Sequence, residues 1–242
     1  MLYGVNVSGV RITGGGAISG GAGGLHTGVT EPGFRGMPEG DADKMVAVVS
    51  SSDITLSNLT LSETGHFAIL MTDVAGAQIS DLTIHPTRDG IDLVGVRDAL
   101  CERLFIRGGG DDAFVIKSDF SVGRFVNSER ITVRDSDIST VGATALEIGS
   151  ETAGNFSSIV FENIAVHSAG DAGIGIVAMD GGHVSDVLYK NITMDNLTLA
   201  EWQALDPTVN DVGSTYKNVP VRTQAAEIIA AARKLLSLPA EA

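Results

Sequence analysis

The chain is poor in cations, cysteine, proline and aromatic residues. Its 242 residues hold 16 Lys and Arg against 30 Asp and Glu, which gives a formal net charge of −14. A protein that binds nucleic acid through phosphates needs a cationic surface, so the charge excludes this function. The one cysteine, Cys101, excludes an intrachain disulfide framework. No uninterrupted run of about 18 apolar residues is present, so no segment is expected to span a membrane.

Glycine is abundant instead, with 30 residues, and 43% of the chain is hydrophobic. Few aromatic residues and many glycines predict tight turns around a core of small aliphatic side chains. The length and the hydrophobic content suit one large domain better than two small ones.

A short phrase recurs along the chain with small variations: a polar residue followed by an apolar, a polar and an apolar residue. The segments that carry it are 58–61, 81–84, 103–106, 135–138, 163–166 and 191–194. No helical segment of the length that a βαβ unit requires lies between them. Repetition at this spacing predicts an all-β parallel solenoid, with one coil for each repeat.

The repeat divides the chain into three parts. Residues 1–200 are predicted to form the solenoid, and 201–223 to form a linker. Residues 224–242 contain apolar positions at the spacing of an amphipathic helix. Such a helix could cap an open end of the solenoid or bind a partner.

Acidic residues are predicted to meet on neighbouring coils. Equivalent positions of successive coils stack roughly 4.8 Å apart. Five residues beyond the phrase, this register places His66, Asp89 and Asp111 side by side, with Asp92 and Asp112 close in sequence. Like charges this close raise the pKa of at least one carboxyl group, which suits a general acid beside a carboxylate base. A calcium site and ordinary turn aspartates are the two alternatives.

Three ordered blocks carry a resemblance to a known family. Segments 87–92, 110–118 and 146–151 are similar to the Asn-Thr-Asp-Gly-Ile-Asp, Gly-Asp-Asp-x-x-x-x-Lys-Ser and x-x-Ile-Gly-Ser blocks of glycoside hydrolase family 28, the polygalacturonase-like pectinases. The similarity runs from about residue 5 to about residue 199. It implies a right-handed parallel β-helix that hydrolyses pectic glycosides with inversion and without a metal or other cofactor.

The resemblance also implies roles for individual residues. Asp111 matches the general acid, and Asp89 and Asp112 match the pair that holds and activates water. Lys117 matches a lysine beneath the aspartates, and Asp92 matches a supporting carboxylate.

The chain departs from the family at the residues that assist the acid and grip the substrate. Thr144 stands at the position of the family's histidine, and segment 175–177 lacks the Arg and Lys that bind a uronate carboxylate. Without these cations a cluster of aspartates repels polygalacturonate, so a neutral or differently decorated glycoside is expected. Thr87 replaces the family's Asn. The chain begins at what resembles an interior coil and ends before the usual last coils, which implies a truncated, divergent copy.

Two further residues have open interpretations. His66 could replace the missing histidine or be a solvent-facing turn residue. Glu151 could bind a sugar hydroxyl or be a solvated loop residue.

Three functions follow as hypotheses: an inverting hydrolase, a Ca²⁺-dependent polysaccharide lyase, and an inactive carbohydrate-binding β-helix. The expected partner is a polysaccharide or oligosaccharide, with neither nucleic acid nor membrane, and the oligomeric state is open. The resemblance implies a secreted or periplasmic protein, although residues 1–5 lack the features of a signal peptide.

Overall fold

The computed structural model describes residues 1–21 and 44–194, and every regular element in these ranges is a strand. No helix that could cross a membrane occurs in this part of the chain. The strands are β1 (Leu2–Val5), β2 (Arg11–Ser19), β3 (Lys44–Ser62), β4 (Phe67–His85), β5 (Asp89–Val94), β6 (Arg97–Glu102), β7 (Phe105–Ile106), β8 (Phe114–Ser118), β9 (Ser128–Ile138), β10 (Leu146–Thr152), β11 (Phe156–Val166), β12 (Ile174–Ala178) and β13 (Val184–Met194).

The named strands within the described ranges pair in parallel, each with the equivalent strand of the next coil. The first part of β4 pairs with β5, β5 pairs with β8, β8 with β10, and β10 with β12. A second face runs from the middle of β4 through β6, β9 and β11 to β13. The chain therefore winds as the parallel β-helix that the repeat predicts.

The core consists of inward-pointing side chains stacked along the helix axis. Ile69, Ile91, Phe114 and Leu146 occupy paired positions of successive coils, and all four are fully buried. The ring of Phe114 meets that of Phe161 edge to face, with centroids 6.4 Å apart. Aliphatic stacks with a few aromatic rings match the core expected from the composition.

The polar residue that opens each repeated phrase forms a turn. Its φ lies between 51° and 56° in all six repeats: Asn58, Asp81, Arg103, Asp135, Asn163 and Asn191. Asn and Asp tolerate this left-handed conformation better than most residues do. The amide of Asn191 donates to the side-chain oxygen of Asn163 at 2.8 Å, which links successive turns. The phrase thus marks the corner of each coil.

The predicted linker at 201–223 and the predicted helix in 224–242 lie outside the described residues.

Candidate active site

Three aspartates from two adjacent coils meet at one end of the sheet that contains β5 and β8. Asp89 begins β5, while Asp111 and Asp112 precede β8. One carboxylate oxygen from each lies within 4.8 Å of the others. These three residues are called the aspartate cluster below. The convergence of Asp89 with Asp111 and Asp112 agrees with the sequence expectation.

The backbone register explains why two aspartates face one. The amide of Asp111 donates to the carbonyl of Arg88, whereas farther along Ile91 pairs with Phe114. The later coil therefore carries one extra residue at its two aspartates, and both lie opposite Asp89. Gly90 allows this close approach, because a Cβ there would lie 2.2 Å from the carbonyl oxygen of Ala113.

Register counting was wrong by one residue at the other flank of Asp89. Phe67, and not His66, pairs with Asp89. His66 is buried, its ring stacks on Phe67 with centroids 4.3 Å apart, and its main-chain carbonyl accepts the Asp89 amide at 3.0 Å. Burial, together with the nearby cations, lowers the pKa of His66 to about 3. The solvent-facing alternative is therefore wrong, and an uncharged imidazole at neutral pH does not favour His66 as a replacement for an acid-assisting histidine.

Arg88 contacts the aspartate cluster and is one residue that sequence reasoning missed. Its Nη1 lies 2.6 Å from Oδ2 of Asp89, and its Nη2 contacts Oδ2 of Asp111. The guanidinium thus bridges two coils. An arginine inside the block 87–92, where the family pattern has Thr, was the available signal.

Burial determines the protonation of the cluster. It raises the pKa of Asp89 to about 8, with the charge of Asp92 as the next cause. Burial also raises the pKa of Asp112 well above its usual value, and the charge of Glu147 adds to the shift. Oδ1 of Asp112 accepts the backbone amide of Thr144 at 3.0 Å, which opposes this shift. The cluster therefore retains a proton at neutral pH.

A buried ion pair lies beside the cluster. Nζ of Lys117 is 2.9 Å from Oδ2 of Asp92 and 3.6 Å from Oε2 of Glu151. Burial raises the pKa of Asp92, and Lys117 opposes that shift. Burial disfavours the charge of Lys117, but Asp92 and Glu151 hold its pKa well above the usual value. The half-exposed Glu151 therefore contacts Lys117 on one side and solvent on the other.

Glu147 is a second residue that sequence reasoning missed. Its side chain is buried, and burial raises its pKa while the neighbouring Thr144 opposes the shift. A Cβ on Gly175 would lie 3.3 Å from Oε2 of Glu147 and 3.1 Å from Cγ2 of Thr144. The space over Gly175 is thus lined by Glu147 and Thr144.

The aspartate cluster has the oxygen ligands of a calcium site, but its surroundings fit a divalent cation poorly. The guanidinium of Arg88 already pairs with Asp89 and Asp111. A Ca²⁺ ion would have to displace this positive charge or bind beside it.

Comparison with known proteins agrees with this geometry. A family model described as Glycosyl hydrolases family 28 matches residues 1–219. A probable polygalacturonase from Vitis vinifera is 23% identical over 260 residues, covering 100% of this chain and 52% of that protein. The crystal structure of a hyperthermoactive exopolygalacturonase from Thermotoga maritima matches with a TM-score of 0.57 at 20% identity, over 80% of this chain and 55% of that one.

The structural likeness shows the fold, a right-handed parallel β-helix. The chain spans about half the length of these two relatives.

Proposed function

Since the chain belongs to glycosyl hydrolases family 28, we propose that it hydrolyses a glycosidic bond of a pectic or related polysaccharide with inversion. The observation that carries the proposal is the aspartate cluster, in which three carboxyl groups share a small, partly buried space. Carboxyl groups this close do not all ionise at neutral pH, which leaves both an acid and a base in one site.

Exposure divides the roles among the three aspartates. The side chain of Asp111 is 29% exposed, whereas that of Asp89 is 1% exposed. Asp111 can therefore reach the glycosidic oxygen of a bound sugar, and we assign it the role of passing the proton of the cluster to the leaving group. Asp89 and Asp112 lie behind it, and an ionised carboxylate of this pair accepts a proton from the attacking water. The water oxygen bonds to the anomeric carbon as the glycosidic bond breaks, and the product is a new reducing end.

The aspartate oxygens lie closer together than the two carboxyl groups of most inverting glycosidases, so the stereochemistry of the reaction has to be measured. Inverting glycosidases usually hold their two carboxyl groups about 6.5 to 9.5 Å apart, to leave room for water. The oxygens of the aspartate cluster lie within 4.8 Å. We propose inversion from family membership, with Asp89 and Asp112 as the pair that would hold the attacking water.

Lys117, Asp92, Thr144 and Glu151 are proposed to support the cluster and contact substrate. Lys117 offsets the charge of the neighbouring carboxylates, and Thr144 fixes Asp112 through its backbone amide. Glu151, half exposed, is placed to accept hydrogen bonds from a sugar hydroxyl.

The proposed substrate has no free carboxylate at the sugar that lies over Gly175. A uronate is bound through Arg or Lys, and positions 175 and 177 are Gly and Val. Glu147 adds a carboxyl group at this place. A neutral sugar, or one whose acid is esterified, avoids the resulting repulsion.

The test is incubation of the protein with polygalacturonate, methyl-esterified pectin, rhamnogalacturonan and neutral pectic glycans. We expect new reducing ends, without an unsaturated product, and loss of this activity in Asp111→Asn. An ultraviolet-absorbing product that disappears with EDTA would instead identify a lyase.

A carbohydrate-binding protein without turnover is the second candidate. It is favoured by the ion pairs of Arg88, which occupy two of the three carboxylates. Glycan binding with no product from any member of the panel would identify it and reject the hydrolase.

A further inference from the structure

Arg88 holds the aspartate cluster through contacts of both its main chain and its side chain. Its carbonyl accepts the amide of Asp111, at 3.4 Å. Its guanidinium binds Asp89 through one terminal nitrogen and Asp111 through the other. The guanidinium is rigid and planar, so two such bonds restrict the distance between the two carboxylates.

The surroundings keep the guanidinium in place. The Arg88 side chain is only 12% exposed, and its central carbon lies 5.9 Å from the centroid of the Phe67 ring. Phe67 is the strand partner of Asp89 on the preceding coil. Arg88 is thus held by residues of three successive coils.

The two cations near Asp89, Arg88 and Lys117, contact different carboxyl groups. Asp92 and Asp111 place negative charge near Asp89, while Lys117 and Arg88 place positive charge there. Lys117 forms its close contact with Asp92, at 2.9 Å. Arg88 instead pairs directly with two members of the aspartate cluster, Asp89 and Asp111.

We propose that Arg88 is a positioning residue for the hydrolysis proposed above: its guanidinium sets the separation of Asp89 and Asp111 and balances their charges. The inference rests on the proposed function. Without the guanidinium Asp89 and Asp111 lose the side chain that ties them together, and the acid no longer stands at a fixed distance from the water-holding pair. A misplacement of about 1 Å can cost a catalytic step roughly 100-fold.

Three substitutions separate geometry from charge. Arg88→Gln removes both, Arg88→Lys keeps the charge but cannot bind two carboxylates with a planar fork, and Arg88→Ala leaves room for added guanidinium ion. We expect kcat to fall roughly 100-fold in Arg88→Gln with KM changed less than about threefold. The kcat of Arg88→Lys should lie between those of Arg88→Gln and the wild type. Guanidinium ion in the buffer should restore part of the activity of Arg88→Ala.

Arg130→Gln is the matched control. Arg130 pairs with Asp98 across two coils, at 2.6 Å, on an exposed face away from the cluster. Its activity should equal that of the wild type. Wild-type or higher kcat in Arg88→Gln, or guanidinium without effect on Arg88→Ala, overturns the proposal.

A second measurement needs no substrate. Carbon-13 NMR of aspartate carboxyls follows the titration of Asp89, whose pKa burial raises to about 8 while Arg88 opposes the rise. Removing a positive charge disfavours the carboxylate, so Arg88→Gln should raise this pKa further. An unchanged or lower value contradicts the bridging role. If the wild type cleaves no glycan, the proposed function fails, and this titration alone decides whether Arg88 holds the cluster.

Discussion

Arginine and aspartate pair across successive coils in two very different places on this molecule. On the exposed face, Arg103 binds Asp81 and Arg130 binds Asp98, in each case through two nitrogens. These two are called the surface pairs. In the aspartate cluster, Arg88 binds Asp89 and Asp111 in a largely buried setting.

The same pairing has opposite results in the two places. Hydrogen bonds from the arginines lower the pKa of Asp81 and of Asp98. Burial raises the pKa of Asp89 to about 8, although Arg88 opposes the shift. Solvation therefore outweighs pairing once the carboxyl group leaves water. Aspartates at the surface therefore stay ionised beside their arginines. Asp89, buried in the cluster, instead binds a proton more readily than a free carboxyl group does.

The largest expected effect is the loss of turnover on neutralising Asp111. Asp111→Asn cannot donate the proton, and we expect activity to fall at least about 100-fold, the lower end of what general acid catalysis contributes. The measurement is reducing-end release on the best substrate of the panel. Asp98→Asn, from a surface pair, is the control and should keep full activity. Equal rates in Asp111→Asn and Asp98→Asn would mean that the cluster matters no more for activity than a surface pair does.

Stability should fall strongly when the buried ion pair is broken. Lys117→Met leaves the carboxylate of Asp92 buried without its cation, which costs about 3 to 5 kcal/mol of unfolding free energy. Denaturant unfolding at pH 8 measures the loss. The loss should shrink at low pH, where Asp92 carries a proton. A loss that does not depend on pH would mean that packing, and not the unpaired charge, is responsible.

Asp89 should make the fold less stable as the pH rises. Its pKa increases from 3.8 to about 8 on folding, so unfolding releases its proton throughout this window. The free energy of unfolding then falls by about 1.4 kcal/mol per pH unit for this one group. Asp89→Asn should show a shallower decline between pH 4 and pH 8. Parallel pH profiles for the variant and the wild type would contradict the burial argument.

A smaller effect is expected on substrate choice from Glu147. Glu147→Gln removes a carboxyl group beside Gly175 at nearly constant volume. The ratio of kcat/KM on polygalacturonate to that on a neutral glycan should rise about fivefold, the effect of roughly 1 kcal/mol of repulsion. A ratio that stays constant would show that this carboxyl group does not face the substrate.

The smallest effect is expected at the surface pairs. Arg103→Gln should leave the unfolding midpoint within experimental error, because exposed ion pairs contribute little. Thermal and denaturant unfolding would both check this. A clear loss of stability would contradict the expectation that exposed ion pairs contribute little.

The repeat and its turns could be predicted because each coil has its own polar residue at the position of the turn. The polar residue of the phrase, such as Asn163, adopts the left-handed conformation in every repeat, and apolar alternation sets the buried face. Asp89, Asp111 and Asp112 could be predicted to meet for the same reason, since register follows from the repeat.

Arg88, Glu147 and the burial of His66 could not be predicted in this way. Leu61 pairs with Ile84 and Phe67 pairs with Asp89, so the earlier coil carries one extra residue between these positions, and simple counting misplaced His66 by one position. The partners of Arg88 depend on where a long side chain turns, which the repeat does not encode. Glu147 is defined by the space over Gly175, a feature of two coils packed together.

The most direct test of the central claim is the anomeric configuration of the first product. Proton NMR during the initial phase of cleavage distinguishes it before mutarotation equilibrates the two anomers. The account predicts a product of inverted configuration from the wild type and no product from Asp111→Asn. A product of retained configuration, or the same product from both proteins, would contradict the roles given to Asp89, Asp111 and Asp112.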